Sequence, residues 1–403
     1  MAKLLELTGI AWDHSRALPP LVATAQRYEE LHPGVRIRWQ KRSLHEFGHM
    51  PVDELAQKFD LIVIDHPWAG FCFARDLVHD LAPRLTPVQV QDMESHTVGP
   101  CWESYFYEKQ LLAIPIDAAT PTPSCRPDLL ARHSLKFPET WQELLSLADA
   151  GWAVMPGFSA DLFLNWCMLV EAQSGRIAEN PESICGQTAG RQAMEMLRRL
   201  SEKMTPEIFT WNPIAIAERM TRSDDIAHCA FAYSYGNYCR PSFTERPLRY
   251  GPLPKLDDGR PLRSIVGGTG IAITQRCMEV ALALDYALFN GSALVQSGIY
   301  TLAGGQPSRR EAWIDDSLEK ITGGFFRDAL PDQERCMIRP RYDGYVPLQE
   351  KGGVCLQNYL RGIWNLDRTW EELNRCYRKT RQGNQKTQPR RCALTGGKSK
   401  VTL

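Results

Sequence analysis

The stretch FDLIVIDHPWAG (59–70) decides the fold. Its centre, Leu61 to Ile64, is an unbroken aliphatic run between two aspartates. A strand with one face in water alternates apolar and polar side chains. An unbroken run suits a strand covered on both faces, as in a parallel sheet clothed by helices. Upstream, KLLELTGIAW (3–12) reads as a first strand and RALPPLVATAQRYEELHP (16–33) as a helix. Pro19 and Pro20 fit the first turn of that helix, and Leu21, Ala25 and Tyr28 keep helical spacing. VRIRWQ (35–40) alternates apolar and basic residues, a half-exposed strand, and VDELAQKF (52–59) is a short helix. Strand, helix, strand, helix, strand is the order of a doubly wound α/β domain.

Downstream, 71–87 reads as helical, LLAIPID (111–117) as a strand, and 128–148 as two helices split by Pro138. Residues 163–175, 190–203 and 214–224 keep helical spacing, with Trp166 read as core. IAHCAFAYS (226–234) and SIVGGTGIAIT (264–274) read as strands, and 280–298 as a helix. The expected organisation is an N-terminal α/β lobe begun by 1–117 and a second lobe mainly from 118–275. Residues 276–382 are expected to hold returning helices and a C-terminal helical part. A basic, disordered tail is expected at 383–403. No single Gly/Ser-rich linker appears, so the lobes are expected to share several crossings.

The 403-residue chain balances 47 basic against 47 acidic residues. That balance excludes a whole-molecule basic field, so no nucleic-acid partner is expected. The end is biased: residues 375–403 hold nine Lys/Arg and no Asp/Glu. No apolar run is long enough for a membrane span. No secretory signal is visible in MAKLLELTGIAWDHSRALPP, which points to the cytoplasm for the chain as written. A missing export signal would place it in the periplasm or outside the cell. The 12 cysteines are scattered, without C-x-x-C or zinc spacing.

Residues just past the carboxyl ends of parallel strands line the ligand crevice of such sheets. Trp12, Asp13, His14 and Arg16 follow the first strand; Asp65, His66, Pro67 and Trp68 follow the third. Tryptophans can stack on a sugar face, aspartates can accept hydroxyl protons, and arginine can clamp an anion. Asp13 could equally cap the next helix. Asp117 ends another strand. Tyr233 and Tyr235 can face the cleft from the second lobe. Gly267 and Gly268 permit close backbone approach to a ligand, or a strand bend. Ser308 and Arg309 are read as a turn ordering the hinge. Asp13, His14, Asp65 and His66 also permit acid–base chemistry or a divalent metal, without a spacing motif for either. No nucleotide, zinc or nucleophile signature is present, so no cofactor, metal or catalytic residue is assigned.

YEELHPGVRIRW (28–39), the 59–85 segment, the 105–148 segment with its PETWQELL, RYGPLPKLDDGRPLRSIVGGTGIAIT (249–274) and QSGIYTLAGGQPSRREAW (296–313) occur in a familiar order. Together they resemble the carbohydrate-type family of extracellular solute-binding proteins of bacterial ABC transporters. The resemblance covers about 1–380. It implies a periplasmic-binding-protein fold: two α/β lobes joined by crossing hinge segments that close on a sugar, polyol or small carboxylate. It also implies an ABC permease as partner if the chain is exported, and a monomer is expected. The alternative is a cytoplasmic enzyme or ligand sensor on the same fold.

Overall fold

Strand β1 (Leu5–Trp12) is the axis of the first lobe. It pairs in parallel with β2 (Val35–Arg42) on one side and with β3 (Leu61–Ile64) on the other. β2 takes the edge, as its alternating pattern requires. All four residues of β3 are buried. Helix α1 (Leu18–Leu31) connects β1 to β2 and buries Leu21, Ala25 and Tyr28. The structure, a computed structural model, describes residues 4–42 and 52–386, with side chains described to 381.

The sheet differs from a purely parallel one. Strand Gly270–Ile273 returns from far along the chain and lies antiparallel between β3 and Ile114–Pro115. Two large hydrophobic cores, with a small third cluster of Cys125, Leu129, Leu130 and Ala227, are found among the described residues. One is built mainly from residues 7–116 and 271–300, the other from 141–266 and 312–377. Segment 276–382 is therefore shared: helix Val280–Gly291 packs into the first core, and most buried apolar residues from Ala312 to Tyr377 into the second.

The second lobe is mostly helical. Its four-stranded sheet is made of two-residue strands, in the order Arg249–Tyr250, Ser124–Cys125, His228–Cys229, Ala153–Val154. In the same lobe, helix Tyr345–Leu360 packs against helices Ser159–Ala172 and Leu366–Lys386. Trp166 is fully buried there, its indole donating to the Gly190 carbonyl (3.0 Å). Gly353 lets two of these helices meet, because a Cβ there would collide with the Ser159 carbonyl. The last helix reaches Lys386, four residues into the expected tail; the remainder of that tail lies outside the described residues.

Three crossings lie side by side at the hinge. The middle one, Ile116–Ala119, bonds to 267–269 on one flank: Gly267 N donates to Ala119 O (2.7 Å) and Thr269 N to Asp117 O (3.1 Å). On the other flank Gln306 Nε2 donates to Ala118 O (2.6 Å) and Ala118 N to Gln306 O (3.1 Å). Ser308 and Arg309 belong to this third crossing, where both backbone amides donate to Gln296 Oε1.

Candidate functional site

The carboxyl ends of β1 and β3 open onto a cavity of about 350 Å³ between the lobes. That lies at the lower end of the roughly 300–1,000 Å³ common for small-molecule sites. The first lobe contributes Trp12, Arg16 and Asp65; the hinge contributes Gly267, Gly268 and Thr269. The second lobe contributes Tyr233, Tyr235, Phe158, Asp161 and Arg339. Seven of the residues expected from sequence therefore share one cavity. A larger space, about 570 Å³, also touches Arg339 but lies beyond it, among Glu171, Glu179, Arg176 and Arg263.

Charges in the cleft are mostly paired. Arg16 is buried and grips Asp117 in a fork, with Nε–Oδ2 at 2.8 Å and Nη2 on Oδ1. Burial opposes the guanidinium charge, but Asp117 overrides it, so the Arg16 pKa is raised. Its guanidinium also lies 5.0 Å from the centre of the Tyr235 ring. Asp117 therefore supports the cavity from beneath through Arg16. Asp65 is held across the lobes by Arg339, whose Nη2 donates to Oδ1 (2.7 Å), and His66 Nδ1 lies 3.1 Å from the same oxygen. Burial would raise the Asp65 pKa, but Arg339 and His66 hold it down to about 2. Asp65 thus lines the cavity, as expected, with both carboxylate oxygens already accepting from Arg339.

Other expected residues stand outside the cavity. Asp13 is exposed and pairs with Lys41 (2.8 Å). His14 packs edge-on against Tyr235 (4.9 Å), and its Nδ1 accepts the Arg16 amide proton (3.0 Å). Burial and Arg16 push its pKa down to about 4, so it is neutral. His66 is buried and likewise lowered to about 4, by burial and Arg339. Pro67 is buried beside it. Trp68 is half-buried against Phe71 (5.2 Å). The two Asp-His pairs therefore do not converge. No group of three or more His, Cys, Asp or Glu among the described residues can hold a metal. Gly268 has φ +96, and a Cβ there would strike Asp117 O; a Cβ on Gly267 would crowd Tyr233 and Ala119 O. Both glycines let the crossings approach each other.

Sequence reasoning missed Asp161, Arg339 and Phe158. Asp161 lies in the first turn of helix Ser159–Ala172, where an acid reads as a favourable partner for the helix dipole. Arg339 lies in MIRPRYDG, which has no periodicity to mark a face. Tyr233 Oη and Thr269 Oγ1 are buried without a hydrogen-bond partner among the described residues.

The chain aligns with maltose-bound MalE3 of T. maritima at TM-score 0.78 and 15% identity, covering 93% of this chain and 99% of that one. The fold is the two-lobed periplasmic-binding-protein fold. An ABC-transporter solute-binding protein of Agrobacterium radiobacter K84 in complex with ribitol gives TM-score 0.78 and 18% identity, covering 94% and 99%. One from Thermotoga lettingae TMO bound with α-D-tagatose gives 0.79 and 16%, covering 94% and 100%. No family model and no curated protein matches the chain. No described helix is long and apolar enough to cross a membrane.

Proposed function

We propose that this protein is a solute-binding protein of the ABC-transporter type, which captures a small polar ligand between its lobes. The carrying observation is the hinge cavity, where aromatic and charged side chains from both lobes face one space. Closing two lobes on a ligand removes it from water and strengthens each polar contact. Trp12, Tyr233 and Tyr235 would offer rings to the apolar face of a sugar or polyol. Arg16 and Asp65, orientated by Asp117 and Arg339, would offer preset polar edges. The structural neighbours bound to maltose, ribitol and tagatose support this class of ligand. An ABC permease is the partner this reading implies.

Of the four residues named for the enzyme alternative, Asp65 lines the cavity, while Asp13 pairs with Lys41, His14 accepts the Arg16 amide proton and His66 lies against Asp65. The test is a thermal-shift panel of sugars and polyols, followed by recovery of the stabilising compound. Recovery of that compound unchanged supports capture. Its conversion to product overturns the reading, and so does a panel in which nothing stabilises the protein.

A further inference from the structure

The cleft has one charge too many. Of its charged lining residues, Arg16 is matched by Asp117 and Asp65 by Arg339. Asp161 has neither an ion pair nor a hydrogen bond among the described residues, yet it lines the cavity and is only partly exposed. It sits in the first turn of a 14-residue helix whose start is wedged by Gly353, so its position is fixed by packing. Phe158, Tyr233 and Tyr235 line the same space, and ring faces attract cations. Burial alone pushes the Asp161 carboxyl up to about 7, with no neighbouring cation to oppose it. A carboxylate left unpaired in such a place is costly unless something of opposite charge arrives.

We propose that the solute this cleft takes is a cation: a small polyhydroxylated molecule whose protonated amine sits on Asp161 and against the neighbouring rings. The inference rests on the binding-protein reading and names the charge of the solute. A neutral sugar would hydrogen-bond Asp161 but leave its charge uncompensated. An ammonium ion supplies both the donor and the charge, and the two paired arginines leave no surplus positive charge to repel it.

The test uses matched probes, 1-amino-1-deoxysorbitol against sorbitol and 1-amino-1-deoxyribitol against ribitol, titrated calorimetrically at pH 8. An alkyl amine with a lysine-like pKa of about 10.4 is charged there. Each amine is expected to bind wild-type protein about 10- to 100-fold more tightly than its neutral partner, the range of one charge-assisted hydrogen bond. In Asp161→Asn that preference should vanish while the protein stays folded. The wild-type comparison stands without the variant. Neutral polyols binding as well as the amines would overturn the cation and leave the cleft reading intact. An amine preference that persists in Asp161→Asn would overturn Asp161 as its seat. Failure of both probe series while neutral sugars bind would overturn the cation alone; failure of every probe and sugar would overturn both.

Discussion

The two walls of the cleft are built by different means. The first-lobe wall is made by strand ends. β1 and β3 run side by side; Trp12 ends β1, and Arg16 and Asp65 follow the strand ends with both charges already neutralised by buried partners, Asp117 in the hinge and Arg339 from the opposite wall. The second-lobe wall comes from a helix start and from an irregular segment around Tyr233 and Tyr235, and it leaves Asp161 unmatched. Strand ends inside a sheet hold side chains in register, so charges there can be paired within the protein. A wall of helix start and loop presents its polar groups to whatever lies between the lobes. One wall is preset and the other is selective.

The largest expected effect breaks the preset wall. Asp117→Ala leaves Arg16 buried without its carboxylate, and removing one member of a buried pair costs about 3–5 kcal/mol. Chemical denaturation should show a loss of that size; a change below about 1 kcal/mol would mean that Arg16 is solvated in solution. Arg339→Ala should also destabilise, but less, because Asp65 is about one quarter exposed and can regain water.

Next is the hinge. Gly268→Ala forces a side chain onto Asp117 O at a positive φ, and strain of that kind costs on the order of 1–3 kcal/mol. Thermal melting should fall, with ligand affinity falling alongside because Gly268 also lines the cavity. Unchanged melting would show that the crossings are looser than their hydrogen bonds imply.

Third is pH. The Asp161 carboxyl is raised to about 7, so the folded state favours its neutral form. Its penalty is absent near pH 4 and grows as pH rises through 7. Asp161→Asn should therefore raise the melting temperature modestly at pH 8 and leave it unchanged near pH 4, with some of the gain offset by the lost charge–dipole contact. Asp65 runs the other way. It is depressed to about 2, so the interlobe pair contributes at neutral pH and is lost only as pH falls below about 4. A larger gain from Asp161→Asn at pH 4 than at pH 8 would contradict the assignment. The smallest effect belongs to Asp13→Ala. Its pair with Lys41 is exposed, so stability should shift by less than about 1 kcal/mol and ligand affinity not at all.

The walls also differ in how far the sequence reveals them. The unbroken run at 61–64 and the alternation at 35–40 mark a covered strand and an edge strand, and strand-end logic then reaches Trp12, Arg16 and Asp65 directly. That logic cannot say which strand-end residues are already occupied. Asp13 and Asp65 look alike in sequence, but Lys41 holds one at the surface and Arg339, 274 residues away, holds the other across the cleft. The second lobe offered less to read. Its strands are two residues long, too short for periodicity, and within IAHCAFAYS the strand is His228–Cys229, with further backbone hydrogen bonds from Ala227 to Ala232. Asp161 and Arg339 owe their places to contacts distant in the chain.

The most direct test fills the cavity without touching either core. Ala160 lines it from the start of the Asp161 helix and is only half-buried, so Ala160→Trp places an indole in the space between the walls. Affinity for the sugar, polyol or amino-polyol that most stabilises the wild type should be measured calorimetrically in both proteins. At least a 100-fold loss is expected in Ala160→Trp, with the melting temperature preserved. Equal affinity in the two proteins would contradict it and move the site elsewhere.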